Sequence, residues 1–197
     1  MKQDAIKAAY IFAFFVLFVV VGFALLKFSG ITGAAQEEYG TLNFTVQESV
    51  SIKFNITNIS FGSGYVEKDT GHAVLQTNGT VINGTWTPIT NFMVLENDGN
   101  TNANVSVKAT SDPDTFIGLG GNFSIKVEEN LTGACLSSIQ STFRQIPTTY
   151  NDTFLCQVFN HTTGNNRINL QFRLIIPELT AESGTRENSI YVLATPA

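Results

Sequence analysis

Most of the chain consists of short runs in which apolar and polar residues alternate, separated by clusters of Gly, Asn, Asp and Ser. Alternation with a period of two is typical of strands that bury one face, and the clusters predict turns. About eight such strands indicate a mainly β fold, an antiparallel β-sandwich. The runs are GTLNFTVQ (40–47), SVSIKFNIT (49–57), NFMVLEN (91–97), ANVSVKAT (103–110), NFSIKVEE (122–129), FLCQVF (154–159), RINLQFRLII (167–176) and NSIYVLAT (188–195). One short helix is predicted at LSSIQSTF (136–143).

An apolar run without a charged residue, AAYIFAFFVLFVVVGFALL, occupies residues 8–26. As a helix it would extend about 28 Å, close to the thickness of the hydrocarbon core of a bilayer. Lys2 and Lys7 precede it, so the positive-inside rule predicts a cytoplasmic amino end and an external remainder. Three fates stay open: a retained anchor, a signal peptide cut before Gln36, or a pilin-type segment trimmed before Ala9.

These features divide the chain into a hydrophobic helix at 1–28, a linker at 29–39 and a β-sandwich domain at 40–197. The helix is rich in Phe, and large aromatic contacts favour helices that pack on one another in a filament core. Phe is also a good lipid-facing residue, so membrane contact is the alternative. The residues predicted to pack between helices are Phe12, Phe14, Phe15, Phe18 and Phe23.

Ten N-x-[ST] triplets, the acceptors of N-glycosylation, are distributed along the chain. The sequence has 18 Asn and 36 Ser or Thr, so random placement would give only about three triplets. Strand alternation by itself produces N-apolar-T, whereas NGT, NDT and NHT lie in turn-like sequence. The acceptors are Asn43, Asn55, Asn58, Asn78, Asn83, Asn104, Asn122, Asn130, Asn151 and Asn160.

Charge and cysteine content fit an exported protein. Only 14% of residues are charged, against about a quarter in ordinary soluble domains. Residues 1–35 carry a net charge of +2 and the rest −7, so the basic footprint of a nucleic-acid-binding protein is absent. Cys135 and Cys156 are the only cysteines. They have no partners for a zinc site and are predicted to form a disulfide, with two buried free thiols as the alternative.

Residues capable of catalysis are sparse, and the sequence predicts neither an enzyme nor a cofactor site. His72 and His161 are the only histidines and both lie in turn-like sequence. Trp86 is predicted to be a core or sheet-face aromatic.

One spacing resembles the start of a calcium loop. In DGNTNAN the residues Asp98, Asn100, Asn102 and Asn104 alternate. Positions six and twelve are Ala103 and Ala109 in place of Gly and Glu, so an Asp-Gly hairpin turn is the simpler interpretation. The carboxylates that remain candidates for a weak calcium site are Glu96, Asp98, Asp112 and Asp114.

Two stretches carry a resemblance to a known class of proteins. LENDGNTNANVSVKAT (95–110) and PELTAESGTRENSIYVLAT (177–195) resemble the middle and last strands of immunoglobulin-like modules in archaeal surface proteins. With a hydrophobic helix ahead of them, the whole plan is similar to archaeal type IV pilins and archaellins. The resemblance implies an immunoglobulin-like β-sandwich and a homo-oligomeric helical filament, with the helices in its core and glycosylated β-domains outside.

The sequence therefore predicts a non-enzymatic structural subunit of an extracellular, cell-surface filament. It would carry covalent N-glycans, pass through a membrane-anchored precursor and bind no nucleic acid. Two alternatives stay open. One is a membrane-anchored surface glycoprotein or adhesion module that does not polymerise, and the other is a secreted fibre subunit joined by strand addition of QEEYGTLNFTVQ (36–47).

Overall fold

The computed structural model describes residues 13–21, 43–150, 154–181 and 183–197. The chain divides into two compact units, Met1–Thr45 and Val46–Ala197. The predicted linker at 29–39 and the acceptor Asn151 lie outside the described residues.

Residues 13–21 form a helix, α1, whose nine residues are all exposed. The rings of Phe14 and Phe18 stack with their centroids 6.4 Å apart, because residues four apart lie on one helix face. Phe12 and Phe23 lie outside the described residues. Within the described ranges, no helix has the length and apolarity needed to cross a bilayer.

The described residues of the second unit form ten strands in two antiparallel sheets, in agreement with the antiparallel β fold that the alternating sequence predicts. The larger sheet contains β1 (Ile52–Phe54), β2 (His72–Gln76), β3 (Val81–Ile82), β4 (Met93–Asn97), β6 (Asn122–Glu129), β7 (Arg144–Gln145) and β9 (Arg167–Pro177). The smaller sheet has the order β10-β5-β8, with β5 at Ala103–Ala109, β8 at Phe154–Phe159 and β10 at Ile190–Pro196. A one-turn helix, α2 (Pro113–Phe116), precedes β6.

The eleven-residue strand β9 is the centre of the larger sheet. One edge of β9 pairs with β6 over eight residues, and the other edge pairs with β4 and β2 placed end to end. Thr77 lies at the junction between β2 and β4 and is fully buried. Its backbone N–H donates to the Phe172 carbonyl at 3.1 Å, and its hydroxyl accepts from the Phe172 N–H at 3.0 Å. The backbone of β9 is thus satisfied where the two short strands leave a gap.

Both sheets contribute to one hydrophobic core. The inward positions of the strands recur every second residue, as in Val105, Val107 and Ala109 of β5. Full burial of a side chain of this kind contributes about 1.5–3 kcal/mol. The largest fully buried apolar side chains are Phe159, Leu75, Leu95, Ile125, Ile146, Leu155, Ile168, Leu170, Val105 and Val127.

Six of the predicted strands are confirmed as β4, β5, β6, β8, β9 and β10. Of the strand predicted at 49–57, only Ile52–Phe54 forms a strand. The described part of the strand predicted at 40–47, residues 43–47, belongs to no sheet. The short helix predicted at 136–143 is wrong. That segment runs alongside β8, with a bridge between Ile139 and Cys156, because backbone pairing with an open strand edge outweighs local helix propensity.

The hairpin predicted around Asp98-Gly99 is also wrong, since β4 and β5 belong to different sheets. The buried side chain of Asn97 holds this crossover. Its amide donates to the carbonyls of Thr101 (3.1 Å) and Phe159 (3.0 Å), and its oxygen accepts from the Gly99 N–H at 3.1 Å. A buried amide with all of these partners replaces the backbone ladder that a hairpin would have supplied.

A bulge in β8 directs two core residues inward. Ala103 and Val105 of β5 face Phe159 and Cys156, so two steps along β5 match three along β8. Both Cys156 and Phe159 are therefore fully buried, although a regular strand would place them on opposite faces. Val158 adopts φ 57° within the bulge, a conformation that is rare for a β-branched residue. Its N–H donates to Oδ1 of Asn104 at 3.2 Å.

The predicted disulfide between Cys135 and Cys156 is confirmed, with Cα atoms 5.6 Å apart. It joins β8 to the preceding segment 134–140. Backbone hydrogen bonds from Leu136 to Val158 and from Gln157 to Ser138 continue the pairing along this edge. The disulfide therefore fixes the segment that covers the outer edge of β8.

Replacing both cysteines with alanine (C135A/C156A) is expected to lower the free energy of unfolding by about 3 kcal/mol, because the cross-link restricts the unfolded chain. Urea denaturation under non-reducing conditions measures the change. Dithiothreitol should produce a similar loss in the unmodified chain and none in the variant. Equal urea midpoints for the two proteins would contradict a stabilising role for the disulfide.

Candidate functional site

The acceptor triplets are the candidate functional residues. The structure separates the nine acceptors that it describes by the environment of the amide nitrogen to which a glycan would be attached. Asn58 and Asn78 are exposed and lie outside the strands. Oδ1 of Asn78 accepts from the Thr80 N–H at 3.2 Å. Within the described residues, neither Nδ2 atom has a hydrogen-bond partner. Both triplets therefore present a free amide nitrogen.

Three more acceptors are exposed: Asn43, Asn55 and Asn130. The Nδ2 of Asn55 donates to Oε2 of Glu96 at 2.6 Å, and that of Asn130 donates to Oδ1 of Asn169 at 3.3 Å. An N-linked amide keeps one hydrogen, so a glycan and one such hydrogen bond can coexist on the same nitrogen. These positions remain sterically open.

Three acceptors are half-buried, and their amide groups hydrogen-bond to other residues of the second unit: Asn83, Asn104 and Asn122. Nδ2 of Asn83 donates to the His72 carbonyl at 3.3 Å. Asn104 links all three strands of the smaller sheet, because its oxygen accepts from Val158 of β8 and its nitrogen donates to the Pro196 carbonyl of β10 at 3.4 Å.

In the triplet of Asn122 the third residue, Ser124, is also inaccessible. The hydroxyl of Ser124 is fully buried and donates to Oδ1 of Asn122. It also accepts from the guanidinium of Arg173 at 3.3 Å. A transferase that needs this hydroxyl cannot reach it in the folded chain.

Asn160 is buried, with 9% of its surface exposed. Its Nδ2 donates to the Gly133 carbonyl at 3.2 Å, its oxygen accepts from the Thr162 N–H at 2.9 Å, and its backbone N–H donates to the Ala134 carbonyl at 2.8 Å. This amide ties the end of β8 to the loop before Cys135. Its geometry is that of a structural amide, and the turn-like NHT sequence gave no sign of that burial.

N160Q is expected to lower the free energy of unfolding by about 1–3 kcal/mol, because the longer side chain cannot keep both hydrogen bonds and leaves buried groups unsatisfied. The matched variant N58Q removes an exposed amide and should leave stability unchanged. Urea denaturation compares the two. Intact mass of the exported proteins gives a second readout, in which only N58Q should lose the mass of a glycan. Equal stability of the two variants would show that Asn160 is not structural.

Glu96 is the centre of the charged cluster near the calcium-like spacing. Its Oε2 lies 3.1 Å from the Arg167 guanidinium and 3.9 Å from Nζ of Lys53, and Oε1 accepts from Nδ2 of Asn166 at 3.3 Å. The hydrogen bond from Asn55, followed by the charges of Arg167 and Lys53, holds the pKa of Glu96 below its usual value of 4.5. Both carboxylate oxygens are thus already occupied by protein donors.

The other carboxylates of the calcium hypothesis have protein partners as well. Asp98 lies 3.4 Å from Nζ of Lys53. Asp112 caps α2 by accepting from the Thr115 N–H at 3.0 Å, and Asp114 accepts from the Gly120 N–H at 2.8 Å. Across the described residues, no group of three or more His, Cys, Asp or Glu could hold a metal ion.

Acidification is expected to destabilise the second unit, Val46–Ala197, which we call the β unit, through Glu96. Because its folded pKa is depressed, the carboxylate contributes its full stabilisation above the unfolded value, and this contribution is lost as the pH falls through the folded pKa. E96Q should therefore be less stable at pH 7 and lose less stability between about pH 5 and pH 3. Urea midpoints across this range provide the test, with E67Q at an exposed carboxylate as the control. A parallel pH dependence in E96Q and the unmodified chain would rule out this role.

The two histidines and Trp86 are the remaining candidates for catalysis or ligand binding. Nδ1 of His161 lies 2.9 Å from Oδ1 of Asn102, and His72 is exposed. Trp86 is half-buried against the core. Its ring lies so close to Gly64 and Gly84 that neither position has room for a side chain, which accounts for both glycines.

A cation–π cluster on the larger sheet has no signal in the sequence. Lys126 and Arg173, on β6 and β9, lie over the ring of Phe143, with Nζ and Cζ 5.2 and 4.6 Å from its centroid. The three residues are distant in sequence, and the pairing of β6 with β9 and with β7, which begins directly after Phe143, brings them together. The ring of Phe143 thereby contacts a cationic side chain from each of two neighbouring strands.

Comparisons with known protein families, with curated proteins and with solved structures gave no match to this chain. The resemblance to archaeal pilins and archaellins therefore stays a prediction from the sequence.

Proposed function

We propose that this chain is a non-enzymatic structural subunit of an extracellular cell-surface filament. In this proposal the amino-terminal helices of many copies form the core, and the β units lie outside as N-glycosylated, immunoglobulin-like sandwiches. The precursor would be held in a membrane with its amino end in the cytoplasm.

The observation that carries the proposal is the surface of α1. Residues 13–21 are all apolar and all exposed, with Phe14, Phe15 and Phe18 each about 70% exposed. A helix that is apolar on every side must be covered by lipid or by other protein. Packing between aromatic rings contributes about 0.5–1.5 kcal/mol per pair beyond burial, so copies of such helices can replace lipid as neighbours.

The second unit supports an external location. Its disulfide is typical of an oxidising compartment. Exposed acceptors such as Asn58 and Asn78 could carry glycans without disturbing the fold. Bulky, solubilising glycans would also keep neighbouring sheets from associating edge to edge.

Replacing Phe14, Phe15 and Phe18 together with leucine (F14L/F15L/F18L) is expected to weaken or abolish filaments, because aromatic contacts between helices are lost while apolarity is kept. Electron microscopy of cell-surface material measures filament number and length. The variant V16L/V19L/V20L changes three apolar residues of the same helix without touching an aromatic ring, and it should assemble normally.

Membrane fractionation of the precursor distinguishes assembly from anchoring. Both triple variants should remain in the membrane, since leucine is a favourable lipid-facing residue. Filaments unchanged by F14L/F15L/F18L would count against aromatic packing in a filament core. The absence of filaments from the unmodified protein, with the chain still in the membrane, would favour a single anchored glycoprotein.

A further inference from the structure

The strand β10 forms an open edge of the smaller sheet. One side of β10 pairs with β5 over seven residues, from Ile190–Ala109 to Pro196–Ala103. On its other side, no strand among the described residues pairs with it. Because successive residues of a strand direct their backbone groups to alternate sides, about half of the N–H and C=O groups of β10 face outward without a strand partner.

This edge lacks the features that normally protect an open strand. The sequence of β10, IYVLATP, contains no charged residue, and its only proline is the last residue of the strand. A long, uncharged edge strand favours pairing with another strand. By contrast, the opposite edge of the sheet, along β8, is covered by the segment that the disulfide fixes.

The side chains of β10 also leave the core incomplete. Ile190 and Val192 pack against the core but are only half-buried. A further strand at this edge, with apolar residues at alternate positions, would extend the inner face beside them and cover them.

The chain contains a segment of the required kind. Residues 43–47, NFTVQ, lie outside every strand. Phe44 and Val46 alternate with Asn43 and Thr45, and their side chains are 83% and 72% exposed. The segment carries no charge, as β10 carries none, and five extended residues span about 16 Å of an edge strand.

We infer that residues 43–47 of one copy add as a strand to the edge of β10 in a second copy. Phe44 and Val46 would then lie on the core side beside Ile190 and Val192. Asn43 and Thr45 would face outward, so the first glycosylation acceptor stays accessible. Each copy offers one such segment and one β10 edge, so the contact joins copies head to tail and can repeat from copy to copy.

This contact goes beyond the proposed filament, which rests on the packing of helices. It assigns a second interface between copies, formed by the β units, whose existence can be tested whether or not α1 drives assembly.

The test uses full-length chains with two different affinity tags, expressed together. One copy carries Thr45→Cys and the other Leu193→Cys, two positions that would lie on the outer face of the extended sheet. The native cysteines are both in the disulfide, so the introduced thiols are the only free ones. Under mild oxidation we expect a covalent dimer with both tags, at least about tenfold above the control, because strand pairing is specific in register.

The control pairs Thr45→Cys with Ile82→Cys, which is exposed on β3, an edge strand of the larger sheet. A dimer yield no higher than this control would overturn the inference. Placing both cysteines in one copy tests the alternative that the segment folds back on its own chain. If oxidation then gives only an internally linked monomer, even when a second tagged copy is present, the contact between copies is excluded.

Two substitutions separate this contact from the helix packing. L193K places a charge beside the edge of β10. When one copy carries Thr45→Cys and the other carries Tyr191→Cys, adding L193K to the second copy should reduce the yield of covalent dimer. Adding I82K in its place should not. In F14L/F15L/F18L the cross-link should persist even if filaments are lost. In chains whose helix is unmodified, filaments that assemble without the cross-link would refute strand addition alone, and a cross-link without filaments would refute the helix-core proposal alone.

Discussion

The pairing of β9 on both edges is the interaction on which the second unit depends. Its eleven residues hydrogen-bond to β6 along one side and to β4 and β2 along the other. Its side chains Ile168, Leu170 and Phe172 alternate into the core. Every other strand of the larger sheet joins β9 directly or through one neighbour. A one-residue shift in the register of β9 would turn its apolar side chains out of the core.

Buried amides connect this sheet to the smaller one. Asn97 holds the crossover from β4 to β5, and Asn166 donates to its carbonyl at 3.0 Å from the start of β9. Asn104 and Asn160 both act at the carboxyl end of the bulged strand β8, where Asn104 accepts from Val158 and Asn160 donates to the Gly133 carbonyl. A neutral amide can be both donor and acceptor and carries no Born cost on burial, so it suits a chain with few charges. The high Asn content therefore serves the interior as well as the surface.

The sequence predicted the strands with clear alternation, because each has one buried face and a turn at its end. NFSIKVEE and FLCQVF became β6 and β8 with the same bounds. The disulfide followed from having two cysteines and no metal ligands beside them. The sequence did not predict β2, β3 and β7, which are short and exist only through pairing with longer strands.

The acceptor triplets show the same limit at the level of the site. A triplet is defined only by its residue types, so the sequence does not distinguish Asn58 from Asn160 as a glycosylation acceptor. Their difference arises from long-range packing, since the amide of Asn160 binds Gly133 across 27 positions of the chain.

The exposed surface of α1 and the open edge of β10 differ in physical character. The side chains of α1 can be covered by any apolar environment, because contacts between apolar side chains are non-directional. Pairing at the edge of β10 would require another backbone in register, since its exposed groups are hydrogen-bond donors and acceptors. A strand contact would fix the orientation of each β unit relative to the next, because the ladder specifies direction and register. The two contacts would thus be complementary, with the helix contributing cohesion and the strand contributing geometry.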